Sequence, residues 1–174
     1  MARLLAEDLV RDVQDFPKPG ILFKDITPVV QDYAALQEVT KTFAAWAREK
    51  QVEAVVGIEA RGFIFGTPVA LELGVGFVPL RKLGKLPANV ISEEYALEYG
   101  TNTVEMHADS LKPGQRVIII DDLLATGGTA AAAARIVERL GAVVVGFGFL
   151  AELDFLEGRK VLSKYDVNSL IRYE

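Results

Sequence analysis

VIIIDDLLATGGT, residues 117–129, leads without a break into AAAAARIVERL, residues 130–140. The four β-branched residues at its start predict a buried strand that ends at two adjacent carboxylates, Asp121 and Asp122. The small residues from Ala125 to Thr129 predict a tight turn that opens an alanine-rich helix. A strand, a glycine turn and a helix in this order are typical of an α/β fold, and they predict an anion site at the turn.

The predicted turn has the chemistry of a phosphate cradle. Free N–H groups at the helix start, glycines that allow close approach, and the hydroxyls of Thr126 and Thr129 all suit a phosphate. The acidic pair beside the turn is suited to sugar hydroxyls or to a hydrated magnesium ion. A phosphate site next to a diol site suggests a ribose 5-phosphate. The alternative is an ordinary strand–turn–helix with a threonine cap and a solvated Asp122.

Helical and strand patterns alternate along the rest of the chain. Helices are predicted over residues 3–13, 33–49, 62–73 and 128–140, and strands over 54–58, 75–80, 101–107, 116–121 and 142–150. Phe16–Pro28 is expected to be irregular, and residues 83–100 to be a long loop. Ligands bind beyond the carboxyl ends of parallel strands. The motifs at Glu59–Gly62 and Asp121–Thr129 are therefore expected to be neighbours.

Composition excludes several functional classes. The 174 residues suit one domain, and the absence of cysteine excludes thiolate zinc sites, disulfides and a thiol nucleophile. A net charge of −5 argues against nucleic-acid binding. No segment is predicted to be a signal peptide or to enter a membrane, so we expect a soluble, cytoplasmic protein.

Two common nucleotide-binding motifs are missing. The Gly84-Lys85 pair lacks the upstream glycine of a P-loop, and Leu86 follows the lysine. The pair Gly74 and Gly76 is not a dinucleotide fingerprint, because Pro79 stands where the third glycine belongs. The only histidine, His107, is expected to have a structural role.

Residues 117–129 resemble the phosphoribosyl-pyrophosphate loop of the type I phosphoribosyltransferases, and their context resembles the members that use adenine. Further matches follow in order: FPKPGILFKDITP at 16–28, GIEARGFIFG at 57–66, RKLGKLP at 81–87 and LEYG at 97–100. The resemblance implies a parallel-sheet core flanked by helices, with a small N-terminal hood. The hood would be mainly residues 1–32, the core 33–154 and a C-terminal extension 155–174 of a single domain.

The resemblance also implies a set of site residues. For the phosphoribosyl group they are Asp121, Asp122, Ala125, Thr126, Gly127, Gly128 and Thr129. For pyrophosphate they are Glu59, Ala60, Arg61, Gly62, Arg81, Lys82 and Lys85. Arg61 would stabilise the leaving diphosphate. For Arg81, Lys82 and Lys85, a solvated basic patch is an equally good interpretation.

For adenine, the resemblance implies Leu22, Phe23, Lys24 and Leu123, with Phe23 and Leu123 on either side of the ring. Spacing alone is equally consistent with Phe23 as a core aromatic. Lys24 stands where the family often has arginine, so a bidentate contact is not expected. Glu98, with Tyr99, is implied to be a catalytic carboxylate on a loop that closes over the site. Its alternative is a solvated loop glutamate.

The implied reaction is transfer of the phosphoribosyl group from phosphoribosyl pyrophosphate to adenine, giving AMP and pyrophosphate. Mg²⁺ is the implied cofactor, held mainly by substrate oxygens and without a dedicated protein cage. A homodimer is implied, with neither nucleic acid nor membrane as partner. Two alternatives stay open: a phosphoribosyltransferase for another base, and a regulator that only senses phosphoribosyl pyrophosphate.

Overall fold

The computed structural model describes residues 3–96 and 100–174. Within these ranges the strands are β1 (Arg11–Gln14), β2 (Leu22–Asp25), β3 (Ala54–Ile58), β4 (Gly76–Lys82), β5 (Val90–Ala96), β6 (Thr101–His107), β7 (Arg116–Leu124), β8 (Val143–Leu153) and β9 (Val167–Tyr173). The helices are α1 (Leu5–Leu9), α2 (Thr27–Gln31), α3 (Tyr33–Arg48), α4 (Gly62–Leu73), α5 (Gly128–Arg139) and α6 (Gly158–Val161). None of these helices is long and apolar enough to cross a membrane.

The main sheet has the strand order β5-β6-β4-β3-β7-β8-β9. Five neighbouring strands of this sheet pair in parallel: β4, β3, β7, β8 and β9. At one edge β6 runs antiparallel to β4, and β5 antiparallel to β6. The predicted α/β fold with a parallel-sheet core is therefore confirmed, with an antiparallel edge that the helix–strand alternation did not indicate.

Helices cover both faces of this sheet. Ile119 of β7 belongs to one buried cluster together with Ile136 of α5. Its neighbour Ile118 belongs to the opposite cluster, with Phe43 of α3 and Phe65 of α4. A strand buried on both faces has no polar side, which explains the uninterrupted β-branched run. The same layering places the first turns of α4 and α5 at the carboxyl edge of the sheet.

The prediction of a loop over residues 83–100 was wrong for residues 90–96, which form β5. β5 forms seven cross-strand pairs with β6, from Val90 opposite His107 to Ala96 opposite Thr101. Consecutive glutamates at 93 and 94 have low strand propensity, so the sequence pattern hid the strand. Pairing with β6, a tertiary effect, overrides that local preference.

The N-terminal predictions were also partly wrong. The helix predicted over residues 3–13 ends at Leu9, and β1 follows it. β1 pairs antiparallel with β2, which lies inside the segment predicted to be irregular. Ion pairs between Arg11 and Asp25 and between Lys24 and Asp12 join the two strands, and neither is visible as a local pattern.

Two strands extend beyond their predicted ends. β7 continues past the acidic pair to Leu124, because β8 also continues and pairs Leu123 with Ala151 and Leu124 with Glu152. β9 pairs with β8, so the sheet includes residues after 154, the predicted end of the core. The C-terminal segment therefore lies close to residues 125–127, which follow β7.

Candidate active site

A cavity of about 490 Å³ lies at the carboxyl ends of β3 and β7. The predicted site residues that line it are Glu59, Ala60, Arg61, Arg81, Lys82, Asp121, Asp122, Leu123 and Thr129. The two motifs that the sequence places 60 residues apart are therefore neighbours. A smaller cavity of about 80 Å³ adjoins it and is lined by the turn from Ala125 to Gly128.

The glycine turn has the geometry of an anion cradle. Gly127 is the N-cap of α5, with φ 82°, a left-handed conformation that glycine adopts without steric cost. Its carbonyl accepts the N–H of Ala131 at 2.9 Å, so the helix begins immediately after the turn. The N–H groups of the first turn have no intrahelical acceptor, and the helix dipole favours an anion there.

The acidic pair lies on β7 directly before this turn. Asp122 is buried, and its Oδ2 atom lies 2.6 Å from Nε of Arg61. Oδ1 of Asp121 accepts the N–H of Asp122 at 2.9 Å. Burial, followed by the charge of Asp122, raises the pKa of Asp121 well above its usual value. The two carboxyl groups therefore lie close enough for the charge of Asp122 to oppose the ionisation of Asp121.

This raised pKa predicts a pH-dependent effect of Asp121→Asn on stability. The contribution of Asp121 to folding is fully present below its unfolded pKa of 3.8 and is lost as pH rises through the raised folded pKa. Asparagine does not ionise. We expect the variant to melt above the wild type at pH 7, by roughly 2–4 °C, the effect of 1 kcal/mol in a chain of this size.

Thermal melts without ligand at pH 7 and near pH 4 measure this difference. The advantage of Asp121→Asn should shrink as the pH falls toward the unfolded pKa of 3.8, because the unfolded carboxyl then takes up the proton that the folded one already holds. An advantage that stays constant with pH, or a lower melting temperature at pH 7, would contradict the assignment of a raised pKa.

Arg61 connects the acidic pair to the N-terminal hood. It is the N-cap of α4, and its guanidinium carbon lies 5.6 Å from the centre of the Phe23 ring. Phe23 also packs edge-on against Phe16, with ring centres 5.0 Å apart. Phe23 is therefore not a residue of the sheet core. Its ring lies beside Arg61, although Phe23 is not among the residues that line the cavity.

Gly62 allows α4 to approach β7 closely. A Cβ atom at this position would lie 2.6 Å from the carbonyl oxygen of Ile120 and 3.0 Å from Oδ1 of Asp121. Both are closer than a side chain tolerates, so glycine is required where the two motifs meet. This contact explains how Arg61 reaches Asp122.

A second ionic cluster shapes the other wall of the cavity. The Glu59 carboxylate accepts hydrogen bonds from Nε and Nη2 of Arg81, each at 3.1 Å, and from the backbone N–H of Lys82 at 2.9 Å. Hydrogen bonding from Arg81 is the main cause that lowers the pKa of Glu59. The guanidinium of Arg81 is thus fixed in this wall, which disfavours the solvated-patch interpretation for Arg81. Lys82 contributes its backbone N–H to the cluster, and the residue itself is exposed.

Glu105 is a buried residue that the sequence reasoning missed. Its Oε1 atom accepts the N–H groups of Lys85 and Leu86, each at 2.9 Å. Burial opposes its ionisation, but these backbone hydrogen bonds, with that of Gly84, lower its pKa. Glu105 therefore holds the turn that carries Lys85, although Lys85 itself does not line the cavity. The sequence predicted its strand but not the antiparallel pairing of β6 with β4, so nothing in the sequence indicated this role.

The residues predicted to bind adenine point in different directions. Leu123 lines the cavity and Leu22 is exposed on β2. Nζ of Lys24 lies 2.7 Å from Asp12 and 4.1 Å from the centre of the Tyr173 ring. Alternation along β2 places Lys24 and Phe23 on opposite faces. The structure therefore directs the charge of Lys24 away from Phe23.

Three further residues complete the account of the site. Tyr95 of β5 and its cross-strand partner Asn102 of β6 line the cavity, and sequence reasoning missed both because the pairing of these two strands was not predicted. Nε2 of His107 lies 2.9 Å from the carbonyl oxygen of Pro87, a contact within the scaffold. Glu98 and Tyr99 lie outside the described residues.

Comparison with known proteins agrees with this geometry. Residues 30–172 match the model of the phosphoribosyl transferase domain family. Adenine phosphoribosyltransferase from Desulfitobacterium hafniense (strain Y51) is 54% identical over 99% of this chain and 100% of its own length. The crystal structure of adenine phosphoribosyltransferase from Thermoanaerobacter pseudethanolicus is 52% identical, with a TM-score of 0.93 over 97% of this chain and 98% of that one.

A third relative was crystallised with a base analogue. The enzyme from Giardia lamblia, complexed with 9-deazaadenine, is 41% identical, with a TM-score of 0.91 over 97% of this chain and 96% of that one. Fold and sequence therefore agree along nearly the whole chain. The chain belongs to the phosphoribosyltransferase family, within the group of adenine phosphoribosyltransferases.

Proposed function

We propose that this protein transfers the 5-phosphoribosyl group from phosphoribosyl pyrophosphate to adenine, forming AMP and pyrophosphate in purine salvage. One observation carries the proposal: an acidic pair and a cationic wall share one cavity, an anion cradle lines the cavity that adjoins it, and an aromatic hood residue lies beside Arg61. These are the groups required for a phosphate, a ribose diol, a diphosphate and a purine. A relative from Trypanosoma brucei, 25% identical, was crystallised with AMP, pyrophosphate and ribose-5-phosphate.

The donor would be held at both of its ends. The turn from Ala125 to Thr129 would bind the 5-phosphate through N–H groups and hydroxyls, while Asp121 and Asp122 accept the ribose hydroxyls. Arg61 would contact the diphosphate, because its Nε faces Asp122 and its remaining N–H groups can bind phosphate oxygens. Glu59, Ala60, Gly62, Arg81, Lys82 and Lys85 would form the rest of the diphosphate wall.

Magnesium fits this donor set as a substrate-bound ion. Among residues 3–96 and 100–174, no group of three or more His, Cys, Asp or Glu side chains could hold a metal. Mg²⁺ takes phosphate oxygens, water and one or two carboxylates. Asp121 and Asp122 are the carboxylates that could contact it beside the donor. When bound, the ion neutralises charge on the diphosphate oxygens.

Positioning and electrostatics would provide most of the catalysis. The bond from the anomeric carbon to the diphosphate breaks ahead of bond formation, so positive charge builds on the sugar and negative charge on the leaving group. Arg61 would stabilise that negative charge, and the acidic pair would hold the ribose in line with the incoming base nitrogen. Phe23 and Leu123 would hold the adenine ring between them, with main-chain groups of Leu22 and Lys24 at its edge.

Glu98 is proposed to accept the proton that the adenine nitrogen loses as its bond to ribose forms. A glutamine side chain cannot accept that proton. We therefore expect Glu98→Gln to lower kcat by about a hundredfold, the low end of general-base effects, with a smaller change in adenine affinity. Steady-state kinetics and adenine titration test this. Equal losses of activity and melting temperature would instead mark Glu98 as structural.

The base specificity separates this proposal from its first alternative. Initial rates of nucleotide formation should be measured with adenine, guanine, hypoxanthine, xanthine and orotate at saturating donor and Mg²⁺. Adenine should be the preferred acceptor, with AMP as the product. Turnover of orotate or guanine without turnover of adenine would overturn the proposal. Donor binding without any turnover would favour the regulator alternative.

We also propose a homodimer that acts in the cytoplasm. Tyr33 and Leu71 are 76% and 78% exposed beside a groove between α3 and α4, an apolar surface of the kind that subunit contacts cover. The absence of cysteine fits a reducing compartment. Sedimentation velocity should give twice the chain mass of 19.0 kDa, and a value of one chain mass would contradict the dimer.

A further inference from the structure

We propose that Gly158 is a positioning residue for phosphate binding: α6 packs against the glycine turn and sets its shape. This inference rests on the proposed function, because it assigns a ligand to that turn. α6 itself makes no part of the cavity wall at the acidic pair. Its influence would be exerted through the backbone of residues 125–127.

The contact between α6 and the turn is unusually close. A Cβ atom at Gly158 would lie 2.1 Å from the carbonyl oxygen of Ala125 and 3.0 Å from the backbone nitrogen of Gly127. In the other direction, a Cβ atom at Gly127 would lie 2.7 Å from the carbonyl oxygen of Gly158. Two glycines therefore face each other, and neither backbone can accept a methyl group without moving.

The backbone conformation of Gly158 does not itself require glycine. Gly158 is the first residue of α6 and is absent from the positions with positive φ, whereas Gly127 has φ 82°. Alanine suits the start of a helix. Close approach to the turn is thus the structural reason for glycine at residue 158.

An ion pair between Arg159 and Glu152 holds α6 in the position in which Gly158 contacts the glycine turn. Arg159 follows Gly158 and donates from Nε and Nη2 to the buried Glu152 carboxylate, at 3.0 and 2.5 Å. Its Nη1 atom donates to the carbonyl oxygen of Val167 at 2.9 Å. Glu152 pairs across the sheet with Leu124, the last residue of β7. Arg159 thus connects α6 to the strand that leads into the turn.

The consequence concerns the direction of the phosphate donors. N–H groups bind a phosphate well only when several point at the same place, and displacing Ala125 or Gly127 would misalign them. Arg61 and Arg81 line a cavity to which α6 contributes no residue, so this cationic wall should keep its geometry. A change at Gly158 should therefore weaken one ligand and spare another.

Gly158→Ala and the control Gly76→Ala provide the test. Gly76 begins β4, is exposed, and has nothing within 4 Å of a Cβ atom. Isothermal titration should measure ribose 5-phosphate and pyrophosphate separately on each protein. We expect Gly158→Ala to weaken ribose 5-phosphate binding by about tenfold or more, the loss of one charge-assisted hydrogen bond. Pyrophosphate affinity should stay within about twofold, and the control should resemble wild type.

Arg159→Lys is the second variant, used if Gly158→Ala does not fold. Lysine keeps the charge but loses the bidentate fork, so α6 should be less firmly anchored and ribose 5-phosphate binding selectively weaker. Equal loss of both ligands, or wild-type affinity for both in each folded variant, would overturn the positioning role. A wild-type protein that does not bind ribose 5-phosphate would overturn the proposed function as well, which distinguishes the two failures.

Discussion

Arg61→Met is expected to lower kcat/KM for phosphoribosyl pyrophosphate by about 1,000-fold, the upper range for removal of one charge-stabilising donor. Arg61 is the residue that contacts the acidic pair and the aromatic hood at once, with Nε 2.6 Å from Asp122 and its guanidinium carbon 5.6 Å from the Phe23 ring. Methionine keeps the length of the side chain but has no positive charge and no N–H donors. The leaving diphosphate would then lose its nearest fixed cation.

Most of this loss should appear in kcat, because charge on the leaving group is largest in the transition state. Arg48→Met is a suitable control, since Arg48 pairs with Glu72 and is 54% exposed, close to the 46% of Arg61. The control should have wild-type kinetics. Arg61→Lys should recover only part of the activity, because an ammonium group cannot form the same planar set of contacts.

A loss of activity in Arg61→Met no larger than in Arg48→Met would contradict the role of Arg61 at the diphosphate. Circular dichroism and thermal melts must accompany the kinetics. Arg61 is half exposed, so its ion pair should contribute little to folding and the melting temperature should change by only a few degrees. Kinetic and structural losses are thereby separable.

Asp122→Asn is expected to raise KM for the donor by about 100-fold, while KM for adenine changes little. The ribose hydroxyls donate hydrogen bonds, and a carboxylate accepts them roughly twice as strongly as a neutral amide does. Two such bonds lost or weakened amount to about 3 kcal/mol, which corresponds to a factor of about 100. Arg61 would also lose the partner that orients it.

The fold should tolerate Asp122→Asn. The substitution is nearly isosteric and removes the negative charge that helps to raise the pKa of Asp121, which offsets the loss of the Arg61 ion pair. Asp109→Asn, at an exposed position outside the cavity lining, is the matched control. Donor titration and initial-rate kinetics measure the effect. Unchanged donor affinity in Asp122→Asn would exclude a diol-binding role for this carboxylate.

Much of the candidate site could be predicted because it is local in the chain. The acidic pair, the glycine turn and the start of α5 occupy consecutive residues, so a strand followed by small residues already specifies their geometry. The Glu59–Gly62 motif is likewise one strand end and one helix start. Parallel pairing of β3 with β7 then brings the two together, as the general rule for α/β sheets predicts.

The direction of single side chains was harder to predict. On β2, Phe23 turns to Arg61 while Lys24 turns to Asp12 and Tyr173. Sequence reasoning grouped them because they are adjacent, but side chains on a strand alternate between faces. Recognising β2 as a strand required its pairing with β1, which no local pattern indicated.

The sequence by itself determined the α/β class and the glycine turn with its acidic pair, since both depend on residues close together in the chain, and it determined membership of the family through a series of such short motifs in order. Only the tertiary structure decided the antiparallel edge, the support of the Lys85 turn by Glu105, and the contact of Gly158 with Gly127. The last two contacts join segments about 20 to 30 residues apart. Propensity acts over a few residues, whereas these contacts depend on which strands are paired and on how closely two backbones can approach.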